Sequence, residues 1–476
     1  IRVGRHYDPI VSEFQGPSII VLNSFSGGGA QADKLTTENH AQFNDILTWA
    51  HGKHLIKAGV NAPDLGRRGL DDRTNRAGTY YFSTLSTYLQ GTPFLFTLQR
   101  GDGHVAFWEV VLGGFIQDSI RLTPNLTVTA GLRYDWQNYA PNYHNLSPRI
   151  ALAWAPHNNR RTVVRVGGGI FYDRTGPNAI ADTLLYNGQH LQNYVLEDPT
   201  FPNSLGVDDL LPGTVRFQGN LKIPYVIQYS AGVERQLHKG TTLSATYFGS
   251  RGVDLFRSRD LNAPLPPLYL GRPDSSLGVL REIESAGALK SEALEITLRG
   301  KVTSFFDGLA QYRLSRTYDN TGGINVFPAN NWDLSDEWSR ADTDERHRFN
   351  LLGSFHAQRY FTLGVKLSVH SGAPYSLTTG LDDYRDGVAN SRPPGVPRNS
   401  LQGPGYADLD MRLAHEFLLK RARKDSPTLT LAVDSFNIVN HTNDIAFIGN
   451  LSSPFFGRAV AALPARQMQV SLNFKF

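Results

Sequence analysis

The last ten residues set the pattern that the rest of the chain repeats. Gln467–Phe476 reads QMQVSLNFKF, with Met468, Val470, Leu472, Phe474 and Phe476 on one face and Gln467, Gln469, Ser471, Asn473 and Lys475 on the other. Successive side chains of a strand point to opposite sides, so a strict period of two predicts a β-strand. Its length matches the roughly 9–11 residues that a tilted strand needs to cross a bilayer. The alternation recurs upstream. Phe361, Leu363, Val365, Leu367 and Val369 alternate with Thr362, Gly364, Lys366 and Ser368, and Leu294, Ile296 and Leu298 alternate with Glu295, Thr297 and Arg299. Ile227, Tyr229, Ala231 and Val233 alternate with Gln228, Ser230, Gly232 and Glu234, and Leu409, Met411 and Leu413 with Asp408, Asp410 and Arg412. In each run the charged residues share a face with small polar ones. That pattern serves a membrane barrel, apolar outside and wet inside, or a soluble barrel of the opposite sense.

The connections separate the two. The pattern predicts about sixteen strands, near 16–22, 39–50, 53–62, 108–122, 125–137, 147–156, 161–172, 224–236, 241–250, 291–301, 305–315, 346–357, 360–370, 406–418, 428–440 and 466–476. Short links (His51–Lys53, Thr123–Asn125, Ala155–Asn159, His238–Gly240 and Gln358–Tyr360) alternate with long ones at 63–107, 173–223, 251–290, 316–345, 371–405 and 441–465. Loops beyond about 12–15 residues are uncommon in compact soluble domains. Tight turns on one side and extended loops on the other are what an outer-membrane barrel has. The expected fold is therefore all-β: a transmembrane, antiparallel, up-and-down β-barrel over residues 1–476.

Composition agrees. Tyr 20, Phe 26, Gly 45 and Pro 26 among 476 residues describe strands and turns. No apolar run approaches the ~18 residues of a transmembrane helix, which leaves a barrel possible because its spans average out. The chain has no cysteine, so disulfides and thiolate-held metals are excluded. Lys+Arg 47 nearly balances Asp+Glu 43, and no basic block points to nucleic acid as a partner. The opening IRVGRHYDPIV is not a signal peptide, and the chain reads as a fragment.

Candidate chemistry is sparse. There is no G-x-S-x-G, no H-E-x-x-H and no phosphate-binding loop signature, so the expectation is a non-enzyme with no catalytic residue and no cofactor. Asp382, Asp383, Asp386 and Asn390 surround Gly387 in one outer loop and could supply oxygens to Ca²⁺, although an ordinary solvated turn explains them better. Tyr80, Tyr81, Phe94, Phe96, Tyr186 and Tyr194 in the outer loops could stack on an extracellular ligand or pack their own loops. Glu234, Arg299, Arg313, Asp408, Asp410, Arg412 and Asp434 should face the lumen.

Several stretches, met in order, resemble the barrel of TonB-dependent outer-membrane receptors of the Oar-like group. FIQDSIRLTPNLTVTAGLRYD (Phe115–Asp135) is the most characteristic; YSAGVERQLHKGTTLSATYFGSRGVDL (Tyr229–Leu255), HSGAPYSLTTG (His370–Gly380) and VDSFNIVNHTN (Val433–Asn443) follow. The resemblance runs from about Gln42 to Phe476. It implies a receptor and transporter in the bacterial cell outer membrane, contacting membrane lipid and taking up an extracellular ligand that the sequence does not identify. It implies a barrel of 22 strands, of which about sixteen are here, filled by a plug. It further implies an N-terminal truncation, because the signal peptide, the Ig-like regulatory domain, the plug and the segment that reaches the TonB complex are not in this sequence. Phe474 and Phe476 match the terminal aromatic signal read by the outer-membrane assembly machinery. A plugless passive porin-like channel, or a surface adhesion or structural barrel, remains the alternative.

Overall fold

A computed structural model describes residues 1–14, 16–22, 24–140, 143–156, 161–203, 211–238, 240–357, 360–418 and 427–476. Sixteen long strands form one continuous antiparallel wall. They are β1 (Arg2–Ile10), β2 (Lys34–His51), β3 (His54–Asp72), β4 (His104–Thr123), β5 (Leu126–Gln137), β6 (Leu146–Trp154), β7 (Thr162–Tyr172) and β8 (Tyr225–His238). There follow β9 (Thr241–Asp260), β10 (Leu280–Lys301), β11 (Phe306–Asp319), β12 (His347–Ala357), β13 (Phe361–His370), β14 (Tyr406–Leu418), β15 (Thr428–Phe436) and β16 (Gln467–Lys475). Each wall strand pairs with its neighbour in sequence, the up-and-down order that the alternating connections predict.

Short and long connections alternate around the wall. The turn between β2 and β3 is Gly52–Lys53, with Gly52 at φ +56°, a left-handed conformation that glycine adopts without steric cost. Pro124–Asn125 joins β4 to β5. The predicted turns Ala155–Asn159, His238–Gly240 and Gln358–Tyr360 lie partly outside the described residues. All these ends fall on the side where β16 ends.

Three details differ from expectation. The run at 16–22 is not a wall strand. Ser18–Val21 instead pairs antiparallel with Phe25–Gly28 and parallel with Thr79–Phe82, inside a smaller sheet. The wall strand at that end is β1, which the sequence reading missed because Arg5 and Pro9 interrupt the apolar face of RVGRHYDPI. The count of sixteen survives because one strand replaced another. Finally, β3, β4, β9 and β10 run 19, 20, 20 and 22 residues, well beyond the length that crosses a bilayer. Their upper ends occupy stretches read as loop, at 63–72, 104–107, 251–260 and 280–290. At the upper end of β4 burial still alternates, with Val105 and Phe107 packed against Leu185 and Ile180 and Trp108 exposed, so the strand continues because the cap covers one of its faces.

The smaller sheet grows from the top of the wall. Pro212–Phe217 pairs parallel with β10 at Leu280–Ile283 and antiparallel with Leu191–Glu197, which pairs with Leu95–Gly101 and so onward to Thr79–Phe82. Its core is Val21, Tyr80, Phe82, Phe96 and Leu98. Burying such side chains stabilises by roughly 1.5–3 kcal/mol each, enough to hold these loops as one body. Helix α1 (Leu85–Gln90) starts on a Thr84 capping box, and α2 (Pro177–Leu185) buries Ile180 and Leu185 beneath the same sheet.

The wall is curled, because loops from its two ends meet: Asn450 Nδ2, between β15 and β16, donates to Ser83 O, between β3 and β4, at 2.8 Å. Among the described residues β1 pairs only with β2, and β16 only with β15. Nearly all their residues are exposed, with Val3 76% and Val470 70% open.

The register fixes which face each residue occupies, and this gives a direct test. Leu367 lies opposite Leu351 and Leu409 on the apolar face, while adjacent Ser368 lies opposite Asn350 and Asp408. Leu367→Arg should cost roughly 2–4 kcal/mol in a lipid bilayer, and Ser368→Arg much less. Urea unfolding in vesicles measures both. Equal losses would contradict the assigned faces.

Candidate functional site

Two regions gather the residues that can act on something outside the fold: the polar face of the wall and the cap of outer loops. On the polar face, register lines up Glu234, Ser244, Thr297, Gln311, Asn350, Ser368 and Asp408 across seven strands. A second row carries Arg299, Leu309, Leu352, Lys366 and Asp410, and a third carries Glu295, Arg313, Arg348, His370 and Tyr406. Arg412 reaches Asp434 at 2.9 Å and Lys366 reaches Asp410 at 2.9 Å. Thus Glu234, Arg299, Arg313, Asp408, Asp410, Arg412 and Asp434 share one face of the sheet. The exposed pairs are worth little as stabilisers, since water screens them.

Part of this face is hollowed into a recess of about 580 Å³. Gly131, Ala151, Gly167 and Ser230 leave room there because they carry little or no side chain, and the Arg149 guanidinium lies 4.4 Å over the Phe171 ring at its edge. Gly167 and Gly169 therefore sit in a strand where the sequence reading put them, and Gly167 shapes a concave surface.

The aromatic loop residues divide. Tyr80 and Phe96 are 3% and 6% exposed and pack ring to ring at 4.6 Å in the core of the smaller sheet, so they hold the cap together and present no face to a ligand. Tyr81 and Phe94 form a half-buried pair at 6.5 Å. Tyr194 packs against the same core, with its hydroxyl on Gln192. Tyr186 differs. It lines a cavity of about 320 Å³ with Leu95, Val195, Val279, Phe327 and Arg281. Its hydroxyl accepts from Gln99 Nε2 at 2.9 Å, and burial holds its pKa well above the usual phenol range.

The acidic loop is not arranged as a metal cage. Both Asp382 oxygens accept backbone N–H groups, from Asp386 at 3.1 Å and Gly387 at 2.8 Å. Asp386 accepts from Val388 N and from Asn331 Nδ2. Asp383 turns to Thr379, and Asn390 donates to Phe327 O. Among the described residues no group of three or more His, Cys, Asp or Glu stands together as a metal site would require. These contacts instead lock the loop into its neighbours.

Sequence reasoning missed the most buried polar groups. Asn262, almost wholly enclosed, accepts from Asp274 N and donates to three carbonyls, at Asp274, Leu277 and Gly278. Asp260 accepts from Asn262 N and Leu280 N and pairs with Arg272, which also holds Glu197 of the smaller sheet. Arg392 and Arg398 converge on Glu337. The run Asp333–Arg348 reads as a mixed-charge surface loop, and only the meeting of loops distant in sequence reveals that Glu337 and Asp344 are buried.

A model of the outer membrane beta barrel domain family matches residues 4–140 and 136–396. No curated protein sequence matches the chain. Among solved structures, the outer membrane transporter YddB from Escherichia coli is similar with a TM-score of 0.63 and 14% identity, over 100% of this chain and 59% of that one. A ferric enterobactin receptor, PfeA from Pseudomonas aeruginosa, is similar with a TM-score of 0.57 and 15% identity, over 94% of this chain and 55% of that one. The FrpB iron transporter from Neisseria meningitidis gives 0.54 and 14%, over 94% and 56%. At these identities the likeness is one of fold, and the chain spans just over half the length of the structures it matches.

The cap carries a pH dependence. Burial, with Asp382 alongside, pushes the Asp386 carboxyl up to about 8. An unfolded aspartate titrates near 3.9. Between those values the folded state holds a proton that the unfolded state has lost, so the contribution is full below about pH 4 and is lost as pH rises towards 8. The cap should therefore resist protease better at pH 5 than at pH 9. Asp386→Asn, which stays neutral, should flatten that difference. Limited proteolysis across pH tests it, and a loop that loosens with acid would refute it.

Proposed function

Since this chain belongs to the outer membrane beta barrel domain family, integral to the bacterial outer membrane, we propose that it is the barrel of a TonB-dependent receptor and transporter. The observation that carries this reading is that, among the described residues, the outer edges of β1 and β16 have no strand partner, in a wall otherwise folded like the barrels of much longer transporters. In lipid every backbone group must be paired, so a wall with two free edges requires further strands. A barrel of 22 strands has a plugged lumen, and this reading calls for a plug and further strands besides the sixteen seen here. In this reading the seven charged residues of the polar face line the lumen, where they hold the plug or mark the path past it. Ligand docks on the outer cap, and the TonB complex acts through the plug. The protein performs no covalent chemistry.

A passive channel is the second reading, favoured by the wall count itself, because sixteen to eighteen strands suit an open aqueous pore. The coding region upstream of Ile1 separates the two. An in-frame signal peptide, plug and TonB-contacting segment is the expected finding. A signal peptide abutting Ile1 would defeat the receptor reading, and ion flux through the purified barrel in planar bilayers would then separate channel from adhesin.

Assembly through the C-terminal strand is part of the proposal. Phe474 pairs opposite Leu429, while Phe476 is 96% exposed at the free edge, open to the assembly machinery. Deleting Phe476 should lower the folded, heat-modifiable barrel in the outer membrane several-fold, and Lys475→Gln should not. An unchanged yield without Phe476 would remove that role.

A further inference from the structure

Between the upper end of β9 and the loops at 320–338 and 376–398 lies a partly open cavity of about 110 Å³, the size of several water molecules. Three guanidiniums, Arg257, Arg392 and Arg398, line it against one carboxylate, Glu337. The side chains of Arg392 and Arg398 are both 9% exposed. Their terminal nitrogens are engaged. Arg392 Nη2 donates to Glu337 at 2.5 Å, Arg398 Nη2 to Asp319, and Arg398 Nη1 lies 3.4 Å from the exposed Asp342. Arg257 gives its Nε to Glu284 at 2.6 Å. The inner nitrogens of the other two are not engaged: among the described residues Arg392 Nε and Arg398 Nε are buried without a hydrogen-bond partner. Arg398 Nε stands 3.9 Å from Glu337, too far for a hydrogen bond.

We propose that this cavity binds a small oxyanion of the hydrogen phosphate class. Two buried N–H donors without acceptors leave uncompensated polarity, and an anion with several oxygens answers both at once. Burial also lowers the Arg398 pKa. A third unpartnered atom selects among anions. Asn390 Oδ1 is buried without a donor, and its orientation is fixed because Nδ2 points at Phe327 O at 3.1 Å and Pro328 O at 3.4 Å. An acceptor facing an anion needs a proton on that anion. Hydrogen phosphate carries one at neutral pH, and sulfate and carboxylates do not. Arg392 Nε, Arg398 Nε and Asn390 Oδ1 all belong to the 376–398 loop, so the bound anion would stiffen that loop, making its rigidity depend on phosphate. The phosphate could be free or borne by a lipopolysaccharide headgroup, and the small volume of about 110 Å³ favours the free ion.

Calorimetric titration of the full-length protein, folded in neutral detergent, with inorganic phosphate tests this without any transport assay, so it stands apart from the receptor reading. Ionic strength is matched with chloride. Saturable one-to-one binding, with a rise in melting temperature and weaker binding of sulfate, is expected. Arg392→Lys keeps the charge and the reach to Glu337 but loses the Nε donor, and should weaken phosphate about tenfold or more. Arg398→Lys is the parallel test should the first variant fold poorly. No binding beyond the chloride control, or binding that both variants leave unchanged, would overturn the site. Sulfate binding as tightly as phosphate would overturn the selection assigned to Asn390. Displacement of phosphate by intact lipopolysaccharide would overturn the free-ion assignment.

Discussion

The whole architecture answers one requirement: inside a bilayer no backbone N–H or C=O can be left to water, so each must find a partner in the next strand. That requirement explains the unbroken ladder from β1 to β16 and the neighbour-to-neighbour order in which a chain can lay it down. It also gives the two free edges their meaning. Glycines and small residues are tolerated within the wall because the ladder, rather than side-chain packing, holds it, and this freedom allows the recess around Gly131 and Gly167 to exist.

Above the membrane the requirement is relaxed and another physics takes over. The long connections would be costly as independent coils, since each ordered residue loses conformational entropy. They offset that cost by folding on one another. A small apolar core around Phe82 organises one side of the cap. On the other side, the carboxylates of Asp260, Glu284, Glu337 and Asp386 meet arginines and asparagines from distant loops. Breaking one partner of such a buried pair is expensive, so these networks specify one arrangement of the cap rather than adding much to its net stability. A cap held in part by a titratable group such as Asp386 is one whose rigidity pH can set.

The wall was legible in the sequence to the level of individual side chains. The residues assigned to the polar face from alternation alone share one face of the sheet, and Glu234 and Asp408 fall in the same register row although they lie on strands far apart in sequence. Where the reading failed, the local pattern had a different cause. Ser18–Val21 is apolar because it is buried in the cap, and β1 is only weakly alternating because Arg5 and Pro9 sit on its outer face. Tyr80 and Phe96 looked like docking aromatics because an aromatic in a polar loop reads the same whether it faces a ligand or another loop.

By itself the sequence determined the fold class, the alternation of turns and loops, and the two faces of the sheet. All of these follow from a period of two imposed by lipid on one side and water on the other, a constraint that acts residue by residue and is written locally. Only the tertiary structure decided how the strands extend above the membrane, which loop residues are buried, and which charges meet. Asn262, Arg392 and Arg398 carry no local signal, because their environment is made by segments tens of residues away whose approach no periodicity encodes.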